Sequence, residues 1–193
     1  MFKKLGILLL VLLLLGGIGL WWISSARGFS ARQEPSSLEV TLARAARGMA
    51  MPSDAKDTKN PIPLTPELMQ EARRHFADHC AVCHANDGSG NTEMGRNLYP
   101  KAPDMRQTRT QSLSDGEIYF IIHNGVRLTG MPAWGPPSGP DNDSWALVHF
   151  IRRLPELTAG ELKDMEQFNP HSHMEMKEEK EEEDFLNGNT EKK

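Results

Sequence analysis

HCAVCH, residues 79–84, contains both cysteines of a 193-residue chain, three positions apart, with a histidine directly after the second. Three chemistries use such a group: a zinc site, a redox dithiol, or covalent attachment of a haem. A structural zinc site draws its ligands from two separated knuckles, and this chain has no second CxxC. A thioredoxin-like dithiol sits at a helix start within a βαβ unit. Here the motif falls at the end of a helical pattern in a chain without convincing strands. C-x-x-C-H is also the attachment pattern of c-type haem: the thiols form thioethers with the two vinyl groups, and the following histidine lies where it can ligate iron.

Working outward, Thr65-Pro66-Glu67 has the form of a helix start, with Thr65 as N-cap and Pro66 at the first helical position. Leu68, Ala72, Phe76 and Cys80 follow at intervals of four and share one face. The glycine-rich NDGSGN after Ala85 ends this helix. Ser114 and Glu117 form a capping box for a second helix, with Ile118, Ile121 and Ile122 inward and Asn124-Gly125 at its end. Residues 126–140 (VRLTGMPAWGPPSGP) are too rich in glycine and proline for regular structure. A third helix is expected from about Asp143 to Leu154, with Trp145, Val148 and Ile151 inward and Leu147 and Leu154 as further candidates. Thr158 and Glu161 suggest a short last helix through Met165. The expected fold is a small all-α domain at 64–168 with long irregular loops, which in compact domains usually serve function.

The flanks differ in character. Residues 1–23 read as a transmembrane anchor: Lys3 and Lys4 precede an uncharged apolar run from Leu5 to Ile23, with Trp21 and Trp22 at its end, close to the ~20 residues a spanning helix needs. A cleaved leader is the alternative, with Ser24-Ser25-Ala26 as its cleavage site. Both readings place the rest of the chain on the outer, periplasmic side of the cytoplasmic membrane. Residues 24–63 read as a stalk and linker containing a short amphipathic helix at Ser37–Met51, expected to lie on the domain rather than on anionic lipid. Residues 169–193 form an acidic tail expected to be disordered; EMKEEKEEED has seven acidic residues and two lysines. His171, His173, Met174 and Met176 offer soft donors for copper or nickel, and incidental clustering is the favoured account. The net charge of −4 gives no sign of a nucleic-acid partner.

A second axial ligand would strengthen the haem reading. The candidates are Met94, Met105, His123, His149, Met131 and Met165. Met131 stands out in Thr-Gly-Met-Pro-Ala-Trp, where Pro132 fixes the backbone and Gly130 permits close approach; His123 is next.

CAVCH, NDGSGN, NLYPKAPD, IIHNGVRLTGMPAWG and a Trp-containing C-terminal helix together resemble a class I monohaem c-type cytochrome of the bacterial membrane-anchored kind, over about residues 65–168. The resemblance implies a cytochrome c-like fold wrapped around one covalently bound haem c. Cys80 and Cys83 would hold the haem, His84 would be the proximal iron ligand and Met131 the distal one. The carbonyl of Pro103 or Pro100 would accept from the other His84 nitrogen. The first and last helices would cross with Phe76 near Trp145. Trp134, Arg96, Arg106 and Tyr99 are candidates to hold the propionates. Ala85 stands where many relatives have glycine, and is expected to do no harm. Two strong axial ligands imply a one-electron carrier that is not itself a catalyst, exchanging electrons with redox protein partners. The alternatives are a haem c subunit of a larger respiratory dehydrogenase or oxidase, and a haem-based sensor.

Overall fold

A computed structural model describes residues 2–27, 30–139, 141–170 and 186. The donors His171, His173, Met174 and Met176 and most of the acidic tail lie outside them. All regular structure among the described residues is helical: α1 (Phe2–Arg27), α2 (Ser37–Ala50), α3 (Pro66–His75), α4 (Ala81–His84), α5 (Glu93–Asn97), α6 (Thr108–Gln111), α7 (Asp115–Asn124), α8 (Asn142–Arg153) and α9 (Ala159–Glu166). A wide π-turn at Phe76–Cys80 joins α3 to α4. The all-α expectation holds.

The caps form as their side chains dictate. Thr65 Oγ1 accepts from the Leu68 amide at 3.2 Å. Ser114 with Glu117, and Thr158 with Glu161, close reciprocal capping boxes. Each satisfies amides that a helix start leaves without a partner, an effect of roughly 1 kcal/mol per cap.

The core lies where α3 and its π-turn meet α8. Phe76, Val148 and Phe150 are completely buried, with Trp145, Leu147, Ile151 and Leu154 around them. Phe76 pairs with Phe150, ring centroids 4.9 Å apart. Trp145 stacks on Tyr119 at 4.0 Å and belongs to the same buried cluster as Phe76. Ala77 and Ala81 are also buried, which makes this helix face broader than the four-residue spacing predicts. On α7, Ile118 and Ile122 are buried and Ile121 is half-buried.

Two flanking segments depart from their expected packing. The proline-rich stretch after α2 is strapped to the body. Ser114 Oγ donates to the Ala55 carbonyl at 3.1 Å, Asn60 Nδ2 to the Trp145 carbonyl at 2.8 Å, and the His149 ring bonds the Ile62 carbonyl at 3.0 Å. By contrast α2, expected to lie with its apolar side on the domain, buries no residue. Its leucines turn outward, because its contacts with the body are polar ones made from other faces.

Candidate haem-attachment site

The π-turn ends at Cys80, and α4 carries the remainder of the motif. Cys80 and Cys83 are free thiols, each half-buried. Burial, followed by the neighbouring Cys83, pushes the Cys80 thiol up to about 12, and burial also raises Cys83. A dithiol oxidoreductase needs the opposite, a thiolate stabilised by positive charge or a helix N-terminus. The helix here presents its C-terminal end. Among the described residues no three His, Cys, Asp or Glu side chains are grouped to hold a metal ion, so HCAVCH does not assemble a zinc tetrahedron.

His84 fits a single axial ligand. Burial lowers its pKa, and the Pro103 carbonyl partly opposes that shift. The ring is therefore neutral near pH 7, as a metal-ligating imidazole must be. Its Nδ1 is buried and makes no hydrogen bond of normal geometry, although the Pro103 carbonyl is close enough to act on the ring. A neutral, buried and unpartnered imidazole beside two protonated thiols suits a covalently held haem, and Pro103 rather than Pro100 is the carbonyl that faces it.

The loop after the motif folds back to hold α4 in place. Thr92 was not anticipated from sequence. Its hydroxyl donates to the Val82 carbonyl at 2.8 Å and accepts from the Gly95 amide at 2.8 Å. It thus caps the end of one helix and the start of another. Gly95 packs so closely that a Cβ there would lie 2.2 Å from the Cys83 carbonyl oxygen. Asn169 was likewise missed: it donates to the Ala77 carbonyl in the π-turn at 2.9 Å and exchanges amide bonds with Asn86 at 2.8 and 2.9 Å. The sequence signal for Thr92 is the N-cap pattern Thr-Glu; none exists for Asn169, whose partners are more than 80 residues away.

Ala85 corrects its expectation. It ends α4 at φ +60°, ψ 158°, a conformation that is essentially glycine's own and costs a side chain roughly 1–3 kcal/mol. The alanine is therefore strained.

Met131 is half-buried in the loop after α7. The Val126 amide donates to its carbonyl at 3.0 Å, and Thr129 Oγ1 accepts from its amide at 3.1 Å. Gly130 is pressed on Leu98, whose side chain a Cβ would meet at 2.5 Å. The loop reaches the motif helix through Trp134, which stands edge-on to His79 at 5.4 Å. His123 is engaged elsewhere: its Nδ1 lies 2.6 Å from Asp141 Oδ2 and its ring stacks on Tyr119. Met105 and Met165 are core residues and Met94 is exposed. Of the propionate candidates, Arg106 is taken up by Asp104 and Asp87. Arg96 bonds Asn91 at 2.6 Å, and the Tyr99 hydroxyl bonds Glu39 at 2.8 Å.

Together these features define a c-type cytochrome domain. The family described as cytochrome c oxidase, cbb3-type, subunit III matches residues 67–151, less than half of the chain, and the likeness is that of a monohaem c-type cytochrome domain with covalently attached c-type haem. The chain is 38% identical over 93 residues to the cbb3-type cytochrome c oxidase subunit FixP of Rhizobium meliloti (strain 1021), covering 48% of this chain and 29% of that protein. It is 36% identical over 78 residues to the subunit of the same name from Sinorhizobium medicae (strain WSM419), covering 40% and 25%. The chain thus spans less than a third of the length of these relatives.

Proposed function

We propose that this chain is a haem c subunit of a membrane-bound respiratory oxidase complex, passing single electrons toward the catalytic subunit. The observation that carries this reading is the family match across α3 to α8, in a chain that also has an apolar helix long enough to cross a membrane at Lys3–Trp22. That match favours a fixed oxidase subunit over a free shuttle. The anchor would be residues 1–23, the stalk 24–63, the haem domain 64–168 on the periplasmic side, and the tail 169–193. The chain itself would carry electrons and catalyse nothing alone.

Cys80 and Cys83 would form the thioethers, and His84 and Met131 would ligate the iron. When bound, haem supplies a one-electron couple whose potential His/Met ligation raises. The protein's own part is to hold the imidazole neutral beside the Pro103 carbonyl and to fix the motif helix through Thr92 and Asn169.

The test is an absorption spectrum of the haem-loaded protein, oxidised and reduced, for the native sequence and Met131→Ala. A low-spin spectrum with the weak far-red iron–sulfur band, lost in the variant, is expected. A high-spin native spectrum, or an unchanged variant, removes Met131 as ligand. Solubilisation in mild detergent should recover the chain with oxidase subunits; recovery alone would return the reading to a free carrier.

A further inference from the structure

One side of α2 is an exposed apolar stripe. Leu38, Leu42 and Met49 are 66, 60 and 81% exposed. With Ala45 they recur at positions i, i+4, i+7 and i+11, which places them in one stripe. The helix is properly formed, with Ser36 and Glu39 closing a capping box at its start. It is also oriented by the body it touches. The Tyr99 hydroxyl donates to Glu39, Lys101 pairs with Glu34, and Val40 and Arg47, about half a turn from the stripe, are the half-buried residues of the helix. The stripe therefore faces away from the haem domain.

We infer that α2 lies in the membrane interface, with Leu38, Leu42, Ala45 and Met49 embedded among lipid headgroups and upper acyl chains, as a second contact that sets the tilt of the haem domain on the bilayer. Continuity with the membrane span supports lipid as the occupant. Only residues 28–36 separate the end of α1 from the start of α2, a reach of at most about 35 Å, so α2 cannot leave the neighbourhood of the surface that α1 enters. The tryptophans near the end of the span, Trp21 and Trp22, are of the type that anchors at this level. Charge agrees: Arg44, Arg47 and Arg109 make no ion pair among the described residues, and Arg44 and Arg47 lie near enough to Arg109 to lower its pKa further after burial has done so. Arg44 and Arg47 put positive charge on the polar side of the helix, where interfacial helices carry it. The 99–109 side of the haem domain, which α2 touches, then faces the bilayer.

This inference rests on α1 as a membrane span but not on association with an oxidase. The haem-loaded full chain, without other subunits, is reconstituted in phosphatidylethanolamine/phosphatidylglycerol vesicles, and its absorption spectrum is checked. Brief hydroxyl-radical exposure followed by mass spectrometry then compares oxidation of Met49 with that of Met94, an exposed methionine on α5 that serves as internal reference. Several-fold protection of Met49 relative to Met94 is expected, independent of dilution with extra lipid and abolished by Leu42→Glu. Equal oxidation of the two methionines overturns the inference. So does protection that disappears on lipid dilution, which assigns the stripe to a second copy, and so does failure of the chain to float with the vesicles. Failure to recover oxidase subunits would leave the Met49 result standing, so the two readings fail separately.

Discussion

Helices α2 and α8 are of similar length, 14 and 12 residues, both amphipathic and both capped by a side chain at the start. One buries nothing; the other buries seven residues, from Ser144 to Ile151. Capping and periodicity decide that a helix forms and which side is apolar. They do not decide what that side meets. The α8 stripe finds α3 and the π-turn because Phe76, Ala77 and Ala81 offer it a large ring beside small residues. The α2 stripe finds no such partner on the body, which holds it by polar contacts on other faces.

The sharpest way to break this contrast is to truncate the same chemistry in both helices. Phe150→Ala should cost about 3–5 kcal/mol, since it removes a fully buried ring against Phe76. The check is urea unfolding of the haem-loaded protein followed by circular dichroism. A loss under about 1 kcal/mol would mean the α3–α8 contact does not carry the core.

Asp141 is next. It caps α8 by accepting from the Ser144 amide at 3.0 Å and bonds His123 on α7. Burial alone would raise its carboxyl, but the hydrogen bonds from Ser144 and His123 more than offset this and hold it below the ordinary 3.8. A carboxylate depressed in the folded state contributes stability that is fully present above its unfolded pKa and is lost as pH falls through its folded pKa. Asp141→Asn should therefore lower the melting temperature at pH 7 and flatten its acid dependence below about pH 4. An unchanged acid slope would assign that dependence to other carboxylates, Asp104 first among them, since its hydrogen bond with Arg106 holds it well below the usual range.

A smaller effect has the opposite sign. Ala85→Gly should stabilise the protein by about 1 kcal/mol, because glycine adopts this backbone freely while gaining some entropy in the unfolded chain. A destabilised variant would show that the Ala85 methyl makes a contact worth more than the strain. The smallest effect belongs to the exposed helix: Leu42→Ala should change stability in detergent solution by less than about 0.5 kcal/mol. A cost near that of Phe150→Ala would erase the contrast between the two helices.

Much of the fold was legible because its signals are local. A threonine or serine three residues before the amide it caps, an apolar repeat every three to four positions, and Gly125 closing α7 are all short-range patterns. The candidate attachment motif is legible for the same reason, since five consecutive residues point to one chemistry. The supporting contacts were not. Asn169 reaches Ala77 and Asn86 across more than 80 positions, and nothing in its neighbours announces that role. Arg106 looked free for an anion, and only folding brings Asp87 to it.

By itself the sequence determined an apolar helix at the start, an all-α domain after it, and HCAVCH as the candidate haem-attachment motif, since each follows from residue type and spacing within a few turns. Only the tertiary structure decided which ring Phe76 meets, that Ala85 is strained, that Pro103 faces His84, and that the α2 stripe points away from the domain. Those outcomes depend on which surfaces remain after the core has closed, and a linear pattern does not contain that information.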